Sequence, residues 1–245
     1  MRAVFQELGR GLADAVFPPV CVDCGGLVES GGSLRHVCAK CALLITRVVA
    51  PHCVTCGHPF YGEVAGERLC PHCAELQPAY REGRTVVLLK GPARALIHEL
   101  KYYHGLHTLA DIAALAQESE YVMGFVRGAV LVPVPLHPRK ERKRGYNQAA
   151  LIAAALAQAA GGGTRVEPLL RRVTHTASQT RFDRKARQEN LKNAFALARG
   201  AVLNPENRYV LVDDVFTTGS TLNTCARVLR RAGCLNLDVV TFGHG

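Results

Sequence analysis

Apolar side chains along this chain follow two rhythms. Between residues 3 and 16, Val4, Phe5, Leu8, Leu12 and Val16 recur three or four positions apart, the spacing of one helix face, and Pro18-Pro19 closes the stretch. From residue 85 onward, short apolar runs alternate with longer periodic or Ala/Leu-rich segments. The runs at 85–89, 129–134, 165–170, 209–212 and 237–242 predict strands. The segments at 93–103, 106–117, 147–160 and 222–231 predict helices. Gly91-Pro92 opens the first of them, and Gly161-Gly162-Gly163 ends the third. Strands alternating with helices of about ten residues or more imply a parallel sheet with helices on both faces, the α/β class. In such sheets ligands bind outside the carboxyl ends of the strands. Residues 172–190 follow neither rhythm and predict a mobile loop.

Between these two regions the pattern is set by cysteine. Eight of the ten cysteines form four CxxC pairs: Cys21/Cys24, Cys38/Cys41, Cys53/Cys56 and Cys70/Cys73. The set repeats with a period of 32 residues, Cys21 mapping to Cys53 and Cys41 to Cys73, and CVDCG at 21–25 matches CVTCG at 53–57. Two thiolates on one tight turn can share a tetrahedral ion, and Gly25 and Gly57 supply the positive φ such a turn needs. Two such turns complete a four-sulfur zinc site, so the region predicts two structural Zn²⁺ ions. Four sulfurs close the coordination sphere to water and substrate. Sequential and interleaved pairing of the CxxC units both satisfy the spacing. His52, His58 and His72 lie beside the pairs as alternative ligands, and Cys225 and Cys234 lack a partner motif.

Composition narrows the class. The chain has 245 residues, 48% hydrophobic and 20% charged, which excludes a disordered protein and fits one or two domains. The longest apolar run, near 149–160, is too short to span a bilayer, and Glu7 and Asp14 interrupt the N-terminal pattern, so no secretory signal is read and a cytoplasmic location is expected. Lys and Arg exceed Asp and Glu by ten. Eight thiolates on two Zn²⁺ would bring the net charge near +6, with the basic surface confined to the region after residue 75. Two stretches dominate it: RKERKR at 139–144, and 171–187 with six bases and one acid. Such concentration points to a polyanionic or phosphate-rich ligand. Arg139, Lys140, Arg142 and Lys143, with Tyr146 beside them to stack on a base, are candidate contacts for single-stranded nucleic acid. Solvated loops and helix packing are the competing explanations.

The most informative segment is YVLVDDVFTTGSTL at 209–222. A buried strand over 209–212 would end in Asp213-Asp214, and a turn of Thr217, Thr218, Gly219, Ser220 and Thr221 leads into a helix. Gly219 allows the backbone amides to point inward. Those amides, the hydroxyls and the positive end of the helix form a cradle for a phosphomonoester. The two carboxylates can accept hydrogen bonds from vicinal ribose hydroxyls and attract Mg²⁺. The segment resembles the phosphoribosyl-pyrophosphate signature of type I phosphoribosyltransferases. That resemblance implies a type I phosphoribosyltransferase-like parallel sheet. It gives Asp213 and Asp214 the role of catalytic acids on the ribose diol, and Thr217 to Thr221 the 5′-phosphate. A loop after the 129–134 strand, with Arg144 nearby, takes the pyrophosphate. Residues 172–190 take the place of a hood loop, with Arg181, Arg184, Lys185 and Arg187 toward the pyrophosphate.

IHELKYYHG at 97–105, VPVPLHPRKERKRGYNQ at 132–148, TASQTRFDRKARQENLKNAF at 176–195 and VLVDDVFTTGST at 210–221, after the CxxC pairs, together resemble the competence protein F (ComF) family. The resemblance implies an N-terminal helix and double zinc ribbon over 1–76 and a phosphoribosyltransferase-like domain over 77–245. It also implies a link to DNA uptake in natural transformation. Two functions stay open. One is an enzyme that transfers a phosphoribosyl group from phosphoribosyl pyrophosphate with Mg²⁺, His137 and His175 being candidate bases. The other is a non-catalytic accessory factor that binds single-stranded DNA and docks its zinc ribbons on a DNA-uptake protein.

Overall fold

Uninterrupted Val/Leu runs have no polar face to offer water, so they take the middle of a sheet covered on both sides. In the computed structural model, which describes residues 18–29, 31–62, 66, 68–173 and 194–245, five parallel strands form one sheet with such runs at its centre. They are β1 (Gly83–Leu88), β2 (Val130–Pro133), β3 (Arg165–Val166), β6 (Arg208–Phe216) and β7 (Asn236–His244), in the order β1-β7-β6-β2-β3. Alternate side chains serve two cores. Val210, Val212, Val240, Phe242 and Leu131 pack on one face, under α3 (Gly91–Tyr102), α4 (Leu109–Gln117), α5 (Glu120–Val126) and α7 (Gln148–Ala160). Tyr209, Leu211, Leu237, Val239 and Val132 pack on the other, under α8 (Ser220–Arg231). The expected α/β architecture with helices on both faces is therefore present. Among the described residues no helix is long and apolar enough to cross a membrane.

Several elements differ from the sequence pattern. The run at 165–170 is not one strand. Glu167 still donates its amide to Leu131 O, but Pro168 has no amide to give. The chain turns there, and β4 (Leu170–Arg172) pairs antiparallel with β5 (Phe195–Leu197) in a separate two-stranded sheet. The basic run forms a short helix, α6 (Pro138–Arg144), whose N-cap His137 accepts the Arg139 amide at 3.2 Å and whose C-cap Gly145 is left-handed. Helix α5 had no clear signal in the sequence. The largest correction concerns the strand expected over 209–212. It runs on to Phe216, because β7 is nine residues long and pairs with it through Asp213↔Thr241, Val215↔Gly243 and Phe216↔His244. The predicted helix at 3–16 and residues 174–193, including His175, Arg181, Arg184, Lys185 and Arg187, lie outside the described residues.

The cysteine region folds as two copies of one unit. Short helical turns α1 (Ala39–Ala42) and α2 (Pro71–Ala74) stand 32 residues apart, as do the isolated bridges Val20↔Leu27 and His52↔Pro59. Both copies are joined to the α/β core. In the first, buried Asp111 of α4 accepts the Arg35 and His36 amides at 2.8 and 2.7 Å. In the second, Gly83 N donates to Val54 O at 2.7 Å and Thr85 Oγ1 donates to Cys56 O at 2.9 Å, so β1 is sealed along its outer side. Asn223 of α8 clasps the segment around Pro78. It accepts the Ala79 amide at 2.8 Å and donates to Leu76 O at 3.2 Å.

The approach at β1 is close enough to test. A Cβ on Gly83 would lie 2.1 Å from Thr55 O. Gly83→Ala must therefore push the second copy off the sheet edge. We expect a loss of about 2 kcal/mol or more, read as a lower midpoint in thermal or denaturant unfolding.

Candidate functional site

The sulfur geometry settles the pairing left open by the spacing. Cys21, Cys24, Cys38 and Cys41 form one cluster, and Cys53, Cys56, Cys70 and Cys73 the other, with all ligand atoms in each within 4.8 Å of one another. The pairing is sequential. A tetrahedron of sulfurs about 2.3 Å from zinc has edges of about 3.8 Å. Cys24 Sγ–Cys38 Sγ and Cys56 Sγ–Cys70 Sγ are each 3.7 Å. Backbone amides point at the sulfurs, Cys70 N donating to Cys53 Sγ at 3.2 Å and His58 N to Cys56 Sγ at 3.4 Å. The two four-cysteine sets fit two structural zinc ions. Two of the neighbouring histidines are engaged elsewhere: the His58 ring nitrogen bonds Pro59 O at 2.9 Å, and His52 packs on Tyr121. The first set includes exposed Cys24, whereas the second is wholly buried.

The second feature is the acid pair in β6. On the β2 side the ladder stops early: Pro133 pairs with Val212, Val134 N donates to Val212 O, and then the chain leaves. On the β7 side pairing continues to Phe216. The acids therefore sit inside the strand toward β7 but at an open tip toward β2. Successive strand residues face opposite sides, and the pair divides accordingly. Asp214, buried, meets Lys101 Nζ of α3 at 2.9 Å through Oδ1, while its Oδ2 is buried with no hydrogen-bond partner among the described residues. Asp213 accepts the Asp214 amide at 2.9 Å. Burial first, and the Asp214 charge second, push Asp213 up to about 7, against the opposing pull of Lys101 and Arg172. Cys225 of α8 is buried close by, and burial with the Asp213 charge drives its thiol well above the usual range.

Beyond Phe216 the chain makes the expected turn. Gly219 has φ +70° and is the N-cap of the twelve-residue α8, with no side-chain cap. A Cβ there would lie 2.6 Å from Phe216 Cζ and 2.8 Å from Leu76 Cδ2, so glycine is required twice over. Thr218 Oγ1 and Ser220 Oγ are 3.0 Å apart, and Ser220 N donates to Thr218 Oγ1 at 3.4 Å. Thr217 is exposed and Thr221 half-buried at the start of the helix. Hydroxyls and first-turn amides thus converge at a helix N-terminus, an arrangement that attracts an anion.

Basic side chains gather at the same mouth. Burial and the charges of Arg172 and Arg144 lower Lys140. Arg144 bonds Gln148 Oε1 and lies over Tyr102, 5.9 Å from the ring centroid. Arg139, Arg142 and Lys143 are exposed on α6. Tyr146 is half-buried against the core, its hydroxyl donating to Leu100 O at 2.6 Å, which is the packing role weighed for it. Lys101 and Arg172 were not among the candidates. The lysine inside IHELKYYHG was the available signal for Lys101, but only the pairing of α3 with β6 brings it to the acids.

Fold and site together define a parallel α/β protein with an acid pair in its central strand and a Thr/Ser/Gly turn after it, joined to two four-cysteine clusters. A family model for the double zinc ribbon domain matches residues 12–74. Competence protein F of Haemophilus influenzae is 30% identical over 225 residues, covering 89% of this chain and 94% of that protein. DNA utilization protein YhgH of Salmonella typhi is 31% identical over 219 residues, covering 84% and 90%. Among solved structures, a hypoxanthine phosphoribosyltransferase from Staphylococcus aureus matches with a TM-score of 0.36 and 14% identity, covering 54% of this chain and 62% of that one. The chain belongs to the competence protein F family.

Two outcomes follow for the sites themselves. A carboxyl whose folded pKa lies above its unfolded value favours folding while protonated, and that advantage is lost as pH rises from about 4 to about 7. Asp213→Asn is expected to raise stability at pH 8, by at most about 4 kcal/mol, with the gain shrinking toward pH 4. Unfolding midpoints of both proteins across that range are the check. A chromophoric chelator should remove two zinc ions per chain in two phases, the faster from the set with exposed Cys24, and Cys24→Ser should abolish that phase alone.

Proposed function

We propose that this chain binds phosphoribosyl pyrophosphate with Mg²⁺ at the β6–α8 mouth and serves DNA uptake in natural transformation, in the cytoplasm. Residues 77–245 supply the ligand site, and residues 1–76 supply a zinc-ribbon module that docks on DNA-uptake proteins. The observation that carries the ligand reading is the Asp214 carboxylate, buried with Oδ2 unpartnered among the described residues, three residues before the Thr/Ser/Gly turn. A buried acid with an unused lone pair calls for a donor or a cation, and a ribose diol or Mg²⁺ supplies one. The names of the relatives, a competence protein and DNA utilization proteins, support the biological setting.

In this reading Asp213 and Asp214 hold the ribose hydroxyls. Thr217, Thr218, Gly219, Ser220 and Thr221 hold the 5′-phosphate. Arg144, with Lys101 and Arg172, faces the pyrophosphate from α6, α3 and β4. Mg²⁺ held at the acid pair would supply neutralising charge to the pyrophosphate. In the transfer step the C1–O bond to pyrophosphate breaks, and the electron pair leaves with pyrophosphate. An acceptor nucleophile bonds to C1 and gives up its proton. The chain contributes position and fixed charge around an oxocarbenium-like state. His137 caps α6 through its ring nitrogen, which leaves it a structural role in this scheme.

A second reading, a non-catalytic factor that binds single-stranded DNA, is favoured by the exposed cations Arg139, Arg142 and Lys143 on α6. Titration calorimetry separates ligand binding from catalysis. The zinc-loaded protein should give heat with phosphoribosyl pyrophosphate and Mg²⁺, and Asp213→Asn/Asp214→Asn should weaken binding at least about tenfold. A folded, zinc-loaded protein that gives no heat with any phosphorylated pentose overturns the ligand reading. Binding without pyrophosphate release, across acceptors, leaves the accessory reading in place of the enzyme.

A further inference from the structure

Helix α3 ends in an aromatic surface that the core does not use. Tyr102 and Tyr103 are each 64% exposed. His98, one turn earlier and also exposed, lies 4.8 Å from the Tyr102 ring centroid and 5.4 Å from that of Tyr103. The Arg144 guanidinium stands 5.9 Å from the Tyr102 centroid. Three exposed rings and the half-buried Arg144 guanidinium thus form one strip. Its position is as telling as its composition. Lys101, the residue before Tyr102, holds Asp214 at 2.9 Å, so the strip borders the mouth of the acid pair. Arg144 closes α6, so the strip also adjoins the exposed Arg139, Arg142 and Lys143.

Exposed rings flanked by cations are what an unpaired strand requires. Bases stack on the ring faces, phosphates meet the cations, and any base sequence will serve because every base has a π-face. A duplex hides its base faces and would use only the cations. An acidic peptide would likewise leave the tyrosine rings idle. Tyr146 does not present its face in this way, since its hydroxyl is fixed on Leu100 O and its ring packs on the core.

We propose that Tyr102 and Tyr103 are the base-stacking residues of a single-stranded nucleic-acid path that runs from α6 across the end of α3. The proposal rests on the reading that α6 meets nucleic acid, and it names the residues that distinguish a single strand from other polyanions. The probe is a labelled oligothymidylate, titrated by fluorescence anisotropy with the full-length, zinc-loaded chain at several salt concentrations. Tyr102→Ala/Tyr103→Ala should raise Kd about tenfold or more, since stacking contributes about 1–3 kcal/mol per base. The slope of log K against log salt should stay as in the unaltered protein, because no phosphate contact is lost. Tyr102→Phe/Tyr103→Phe should keep the affinity. Arg142→Glu/Lys143→Glu should weaken binding and flatten that slope. If the alanine variant binds the single strand as tightly as the unaltered protein while the α6 variant does not, the stacking path is overturned and the α6 reading stands. If the alanine variant loses duplex and single-strand binding equally, the stacking path is again overturned. If the unaltered protein binds no single strand, both fall. Zinc content and melting temperature of each variant guard against misfolding, which the exposure of both rings makes easy to avoid.

Discussion

The arrangement of the site depends on unequal pairing along the two sides of β6. Strand β7 keeps its hydrogen bonds to the last residue, Phe216, while β2 lets go at Val212. One flank of the acid pair is therefore held rigidly, and the other opens. A strand that ended on both sides at Val212 would leave Asp213 and Asp214 in a loop, hydrated and free to turn. Continued pairing instead fixes their directions and denies them water, the condition under which a carboxylate becomes costly to leave without a partner. Lys101 compensates one oxygen of Asp214, and the position of α3 over the sheet exists to the extent that Leu96, Ile97 and Leu100 bury against it.

The metal ribbons enter this arrangement as structural members. Small apolar content makes each copy a poor core on its own, and four thiolates around one zinc ion would supply the missing cohesion. Each copy then uses backbone groups to hold the α/β core: amides of Arg35 and His36 on the Asp111 carboxylate, and carbonyls of Val54 and Cys56 toward β1. The outer side of β1 would otherwise be an open edge, which sheet proteins take care to cover.

Much of this was legible from residues alone. The four CxxC pairs and their 32-residue period gave two repeated units, because metal ligation depends on local spacing. The apolar runs gave the central strands, because a strand buried on both faces has no choice of composition. The Thr/Ser/Gly turn after Asp213-Asp214 was visible for the same local reason. What stayed hidden depended on partners far away in sequence. The length of β6 follows from β7, the antiparallel pairing of β4 from β5 beyond it, and the pairing of Lys101 with Asp214 from the packing of a helix more than a hundred residues upstream. RKERKR reads as charge in the sequence, and only its caps, His137 and Gly145, make it a helix.

Leu76 shows how little of this architecture is modular. Its amide donates to Cys73 O at 3.0 Å, at the edge of the second metal centre, and a methyl group on residue 219 would collide with its side chain. One leucine thus follows the second cysteine cluster directly and packs under the Gly219 turn. A chain cut after residue 76, or a ribbon exchanged for another, would remove that floor and leave Phe216 and Gly219 facing solvent. A border at 76/77, as the resemblance implies, would run through a single packed joint, and whichever half is inherited alone would arrive incomplete.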